Sequence, residues 1–332
     1  MAARRRGKKK SGRSYAWRYR GRIVACVFFE VIIICALVIM IGWNKGVKEW
    51  FEQFEQPVLK EVDISGINSP NAILMQARGG KILGEINGEA QIYPASMTKI
   101  MTVILGIENF DDLDEKITLT NEMFTGLYEQ DATQAGFQPG EEVRVIDLLY
   151  GAMLPSGAEC CIALADTISG SEADFAELMN KKAGKLGMEN THFCDSTGLH
   201  NPDHYSTVKD IAVLMKYCIK NDTFREIVET SRHSTGVTNI HPDGITYYST
   251  MFKNLSDPTV TGGKILGGKT GYTSEAGHCL VSFAEIEGRE YIFVSAGASG
   301  ADGNTIPHIQ DAVTVYNRVG AAIEEKMNDN NK

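Results

Sequence analysis

From Ile23 to Trp43 the chain is apolar but for one charge, Glu30. As a helix rising 1.5 Å per residue, this stretch reaches about 31 Å, the thickness of a bilayer's hydrocarbon core. Glu30 near mid-helix costs roughly 3 kcal/mol. The thirteen Ile, Val, Leu and Phe residues return roughly 0.3–0.6 kcal/mol each, so the pattern predicts a transmembrane helix. The period then changes. Val47, Trp50, Phe51 and Phe54 fall at i, i+3, i+4 and i+7 with Glu49, Glu52 and Glu55 between them, which predicts a short juxtamembrane helix. Beyond Val62, Ala72–Ala77 and Lys81–Ile86 flank Arg78-Gly79-Gly80, which reads as a hairpin. Helical patterning fills the middle: Val145–Met153, Cys160–Ile168, Glu172–Leu186, Lys209–Lys220 and Thr223–Thr230. A second hairpin, Cys279–Ile286 and Glu290–Ala296 about Glu287-Gly288, precedes a closing helix over Asp311–Glu325. Strands at both ends of a helical middle predict an α+β domain. One antiparallel sheet is built from the terminal segments and flanked by helices, with a helical insert.

Charge divides the chain further. Residues 1–22 carry ten Lys or Arg and no acid, so the remainder carries −19 of a total of −9. A basic head before an apolar span keeps the N-terminus in the cytoplasm and sends the rest out. Ile41-Gly42-Trp43-Asn44-Lys45 offers no small-x-small cleavage site, so the span is expected to remain as an anchor in the cell membrane. The predicted divisions are therefore a cytoplasmic head (1–22), an anchor (23–43), a stalk (44–61), an extracytoplasmic domain (62–325) and a polar tail (326–332). Positive-inside sorting accounts for the head without nucleic-acid binding. Five cysteines lie outside the span (Cys160, Cys161, Cys194, Cys218 and Cys279), with no C-x-x-C and no metal-ligand spacing. They read as small buried residues, with one disulfide left open, and no metal or other cofactor is expected.

The chemistry lies in three separated motifs. Ser96-Met97-Thr98-Lys99 begins an apolar run that reads as a buried helix, 173 residues before Lys269-Thr270-Gly271, and Ser156 lies between them. Position i+3 on a helix shares a face with i, so the Lys99 amine can reach the Ser96 hydroxyl. A serine hydroxyl needs a base, and a lysine becomes one when burial and a second cation, here Lys269, lower its pKa. Ser-x-x-Lys alone is weak and Lys-Thr-Gly alone is stronger; their ordered combination carries the signal. Ser206-x-x-Lys209 repeats the first, but Ser206 and Thr207 with Asp210 read as a helix start. Gly263–Thr270 also satisfies the phosphate-cradling G-x-x-x-x-G-K-[ST] pattern. It lacks a buried strand before it and a helix after it, so no nucleotide is expected.

Taken in order, the motifs resemble those of serine-type D-alanyl-D-alanine carboxypeptidases, the low-molecular-mass penicillin-binding proteins of peptidase family S11. The resemblance runs from about Ser69 to Val319. It covers Tyr93–Lys99, Asp147–Gly151, Leu154–Gly157, Gly187–Phe193, His204–Thr207 and Gly268–Thr273. It implies a β-lactamase/transpeptidase-like fold. It also implies that Ser96 is the acylated nucleophile, Lys99 its base and Ser156 the proton relay to the leaving D-alanine. Lys269 and Thr270 would hold the terminal carboxylate, on an edge strand continuing through Gly271 and Tyr272. The N–H groups of Ser96 and Tyr272 would form the oxyanion hole. The implied partners are peptidoglycan pentapeptides ending in D-Ala-D-Ala, and β-lactams as acylating inhibitors. One position departs from the family pattern Ser-x-Asn: Ser156-Gly157-Ala158 has no amide. A lost hydrogen bond to a charged group costs about 1.5–3 kcal/mol, roughly 10- to 150-fold in rate; Glu159 or a water is the expected substitute. The alternative reading is a catalytically weakened penicillin-binding or scaffold protein of the cell wall. A β-lactamase is disfavoured because no Glu-x-x-x-Asn deacylation loop is evident. The chain also carries no evident second C-terminal β-domain or amphipathic C-terminal anchor, so the N-terminal helix is the expected tether.

Overall fold

Alternating apolar residues at the two ends of the domain build one sheet. In the computed structural model, which describes residues 59–255, 257–300 and 306–330, strands β1 (Asn71–Gln76) and β2 (Ile82–Ile86) form the first hairpin. Strands β8 (Gly263–Thr273), β9 (Gly277–Ile286) and β10 (Arg289–Ala298) form a meander. A two-residue strand β7 (Thr259–Val260) pairs with the start of β8. The order across the antiparallel sheet is β2-β1-β10-β9-β8-β7, so the first hairpin docks on the last strand. The expected head and span, and the stalk as far as residue 58, lie outside the described residues. Among the described residues no helix is long and apolar enough to cross a membrane.

Both faces of the sheet are buried. Ile73, Val281, Phe283 and Val294 face the helical insert. Leu74, Leu280, Ile286 and Phe293 face the closing helix. The period of two along each strand explains why neighbouring residues reach opposite cores. The closing helix runs over Pro307–Asn330, beyond both ends of the expected Asp311–Glu325 and through most of the expected tail. Its Tyr316 hydroxyl lies 3.1 Å from Ser282 Oγ and accepts from Phe293 N at 3.1 Å. Its Asp311 accepts from the N–H and side chains of Asn68 and Ser69 at 2.6–2.9 Å, tying the domain's first segment to its last.

The insert holds α1 (Lys99–Asn109), α2 (Val145–Met153), α3 (Ala158–Ser169), α4 (Glu172–Leu186), α5 (Val208–Cys218), α6 (Asp222–Glu229) and the short α7 (Thr250–Asn254). Two small ribbons, β3 (Lys116–Thr118) with β4 (Glu142–Arg144) and β5 (Arg232–Ser234) with β6 (Thr246–Tyr248), accompany them. α1 is apolar on every side, with Lys99 to Gly106 all buried, because it runs through the middle of the insert core. α5 starts as the Thr207 cap predicts: Thr207 Oγ1 accepts from Asp210 N at 3.0 Å. Lys209 turns outward to pair with Glu89, away from Ser206. Gly263–Thr273 is one continuous strand, so the phosphate-loop pattern has neither loop nor helix. Among the described residues the five cysteines, Cys160, Cys161, Cys194, Cys218 and Cys279, are free.

Candidate active site

Ser96 sits in a tight turn that leads into α1. Residues Ala95–Thr98 form a 3-10 turn, and the α-helix begins only at Lys99, one turn later than the apolar run suggested. Ala95 enters the turn with φ +46, a left-handed conformation that a non-glycine residue holds only under constraint. The reach across the turn survives: Lys99 Nζ donates to Ser96 Oγ at 2.9 Å. A second donation, to the Thr197 carbonyl at 2.6 Å, fixes the amine from the other side. Lys99 is 3% exposed, and burial is the main cause that holds its pKa below the usual lysine value.

A second serine–lysine pair faces the first. Ser156 follows α2 in a left-handed conformation, φ +73, and its Oγ accepts from Lys269 Nζ at 3.0 Å. Lys269 is 1% exposed. Burial, and then the nearby charge of Lys99, push its pKa well below the ordinary value. The two lysines therefore oppose each other's protonation across the site, the condition under which an amine serves as a base.

The edge of β8 joins the pairs. Past Ile265 this strand pairs with β9 alone, so its other edge faces the Ser96 turn. Gly271 permits the approach: a Cβ there would lie 3.0 Å from Ser96 N. Thr270 Oγ1 lies 2.7 Å from Thr250 Oγ1 on α7. Tyr272 is 61% exposed, its ring against His278. The structure thus brings Ser96, Lys99, Ser156, Lys269, Thr270, Gly271 and Tyr272 to one place.

The departure at Ala158 has a definite setting. Ala158 opens α3, 1% exposed, and its N–H donates to the Thr133 carbonyl at 2.8 Å. Glu159, one of the expected substitutes for the missing amide, turns elsewhere. Its Oε1 accepts from Ala135 N and Gly136 N at 2.6 and 2.9 Å, while Oε2 is buried without a hydrogen-bond partner among the described residues. Burial raises its pKa, against the pull of those N–H donors. The group found on Lys99 is instead a backbone carbonyl, that of Thr197, which no side-chain motif announces.

Comparison with known proteins agrees with this geometry. Residues 58–300 match the model of the D-alanyl-D-alanine carboxypeptidase family, Peptidase_S11. The chain belongs to that family. It is 35% identical over 233 residues to the D-alanyl-D-alanine carboxypeptidase DacF of Bacillus subtilis, covering 69% of this chain and 57% of that one. It is 33% identical over 262 residues to DacC of Escherichia coli, covering 71% and 58%. Against the D-alanyl-D-alanine carboxypeptidase of Streptomyces sp. strain K15 it is 35% identical, covering 69% and 78%. The chain thus spans under two thirds of the first two relatives and more of the third. The crystal structure of the Streptomyces K15 DD-transpeptidase superposes with a TM-score of 0.70 at 30% identity, over 79% of this chain and 100% of that one. The likeness to the Mycobacterium tuberculosis D-alanyl-D-alanine carboxypeptidase, TM-score 0.69 at 22% identity, speaks to the fold.

Proposed function

We propose that the protein is a penicillin-binding serine D-alanyl-D-alanine carboxypeptidase of β-lactamase/transpeptidase-like fold, which removes the terminal D-alanine from peptidoglycan stem peptides. The observation that carries this reading is the pairing of two serines with two buried lysines, Ser96–Lys99 and Ser156–Lys269, beside an open strand edge. An extended peptide adds to such an edge, and its terminal carboxylate meets the Lys269 ammonium and the Thr270 hydroxyl. Lys99, neutral, takes the Ser96 proton as Oγ attacks the penultimate D-alanine carbonyl. The oxyanion forms between the N–H groups of Ser96 and Tyr272, where fixed donors stabilise it. Ser156 gives its proton to the leaving D-alanine amine and takes in return the one that Lys99 holds, so Lys99 is neutral again; water then cleaves the acyl-enzyme with Lys99 as base, and the proton it takes goes back to Ser96 Oγ. A β-lactam follows the same first half-reaction and stays bound. Incubation with a pentapeptide ending in D-Ala-D-Ala is expected to release free D-alanine; labelling by a fluorescent penicillin without release would favour the weakened-enzyme alternative instead.

The basic head and the 23–43 span support an uncleaved anchor in the cell membrane, with the head in the cytoplasm and the domain outside. Protease added to intact protoplasts is expected to digest the domain and spare the head. A mature N-terminus beginning after Trp43 would refute the anchor.

A further inference from the structure

We propose that Asp195 is a positioning residue for the Ser96–Lys99 pair, acting through the Thr197 carbonyl that it fixes against the Lys99 amine and through His204, which it orients against Thr98. This rests on the acyl-transfer reading above. Asp195 Oδ1 accepts three hydrogen bonds at 2.7 Å, from Thr197 N, Thr197 Oγ1 and Gly198 N. That turn points the Thr197 carbonyl at Lys99 Nζ, 2.6 Å away. Asp195 Oδ2 lies 3.2 Å from His204 Nδ1, and His204 Nε2 lies 2.9 Å from Thr98 Oγ1, in the turn that carries Ser96. The Cys194 N–H also points at Nδ1, 3.2 Å away, and would favour Nδ1 as an acceptor; the Asp195 carboxylate, which can only accept, outweighs it, so Nδ1 donates to Asp195 and Nε2 accepts from Thr98. One carboxylate thereby grips the nucleophile turn at two successive residues, Thr98 and Lys99.

The charge has a separate consequence. Burial would raise the Asp195 carboxyl, but His204, Thr197 and Gly198 hold it down to about 2, so it is an anion wherever the enzyme works. The titratable groups acting on Lys99 are Asp195 from this loop, Glu159, Cys160 and Cys161 from α3, and Lys269 from β8. Burial keeps the two thiols neutral, Cys161 being pushed up to about 12. Among these described groups Asp195 and Glu159 therefore favour the Lys99 ammonium, and Lys269 opposes it.

Asp195→Asn separates charge from geometry. The amide oxygen can still accept the three bonds. Its N–H can donate to Nδ1 in the other tautomer, and Nε2–H can then donate to Thr98. The full-length protein in detergent is acylated with a fluorescent penicillin across a range of pH. Wild type gains rate as Lys99 loses its proton; Asp195→Asn is expected to move that acid limb down by about half a pH unit or more. Asp195→Ala orphans four donors, the three on Oδ1 and His204 Nδ1–H, and is expected to lower the plateau about tenfold or more, with Asn restoring it. Thr102→Val is the structural control. It removes the 2.6 Å bond to the neighbouring Ser196 carbonyl without touching charge, and is expected to leave the limb in place. An unmoved limb in Asp195→Asn, or an equal shift in Thr102→Val, overturns the proposal. Should the wild type take no label, the acyl-transfer reading fails by itself. Titration of the Lys99 15Nζ signal, assigned against Lys99→Arg, still decides the positioning: a downward shift in Asp195→Asn supports it and an unchanged titration overturns it.

Discussion

Gly198 and Ala95 approach so closely that no side chain fits between them: a Cβ on Gly198 would lie 1.9 Å from the Ala95 carbonyl oxygen. Gly198 also has φ +79 and Ala95 φ +46, so two left-handed residues meet directly behind the nucleophile. Any residue with a Cβ at 198 must displace either the Ser96 turn or the Thr197 carbonyl on Lys99. Gly198→Ala is expected to cost about 1–3 kcal/mol from its backbone conformation alone. It is also expected to slow penicillin acylation about a hundredfold, because a shift near 1 Å misplaces the reacting atoms. Urea melts and acylation rates on the same preparation check both. Wild-type acylation in a destabilised variant would show that the contact supports the fold without aligning the nucleophile.

Ala158 gives the second prediction. If the missing amide limits turnover, Ala158→Asn raises D-alanine release, by up to about 150-fold for one charged hydrogen bond regained. A rise in kcat marks a bond made in the transition state, and a fall in KM alone marks substrate holding. An unchanged or lower kcat/KM on one D-Ala-D-Ala peptide would mean that the Thr197 carbonyl already organises Lys99 and that Ala158 is no defect.

The third prediction concerns stability at low pH. His308 is buried, stacked on His278 with ring centres 5.0 Å apart, and its Nδ1 has no hydrogen-bond partner among the described residues. Burial, and then the neighbouring His278, depress its pKa from 6.5 to about 4. Between those values the unfolded chain binds a proton that the folded one refuses, so stability falls as pH drops from 6.5 towards 4 and is fully present above 6.5. The contribution is about 3 kcal/mol in all, of which about 2 is lost between pH 7 and pH 5. His308→Phe keeps a stacked ring and cannot titrate. Its urea-derived stability is expected to change less over that range than the wild type's. Equal slopes would place the acid sensitivity elsewhere.

Much of the fold is legible in the sequence. The α2 and α4 bounds, the terminal hairpins and the meander follow from apolar period and turn residues, because each element buries one regular face. The ribbons at Lys116–Thr118 with Glu142–Arg144 and at Arg232–Ser234 with Thr246–Tyr248 are not. Three residues are too few to establish an alternation, and their partners lie far along the chain or across a loop. The 3-10 turn at Ser96 was hidden by the helix-like run beyond it. The side chains expected at the site were found there, since serine, lysine and glycine at fixed spacing announce themselves. The Thr197 carbonyl and Thr250 were missed for opposite reasons. A backbone oxygen has no residue type to recognise, and Thr250 reaches Thr270 only because α7 folds back on β8.

The central claim, that Ser96 is the acylated nucleophile, is met most directly by mapping the adduct formed with benzylpenicillin. Intact mass is expected to rise by one penicilloyl group. Peptide mapping is expected to place that group on Ser96, with Ser96→Ala remaining folded and unmodified. Modification of Ser96→Ala to the wild-type extent, or an adduct mapped to Ser156 or Ser206, would contradict the account.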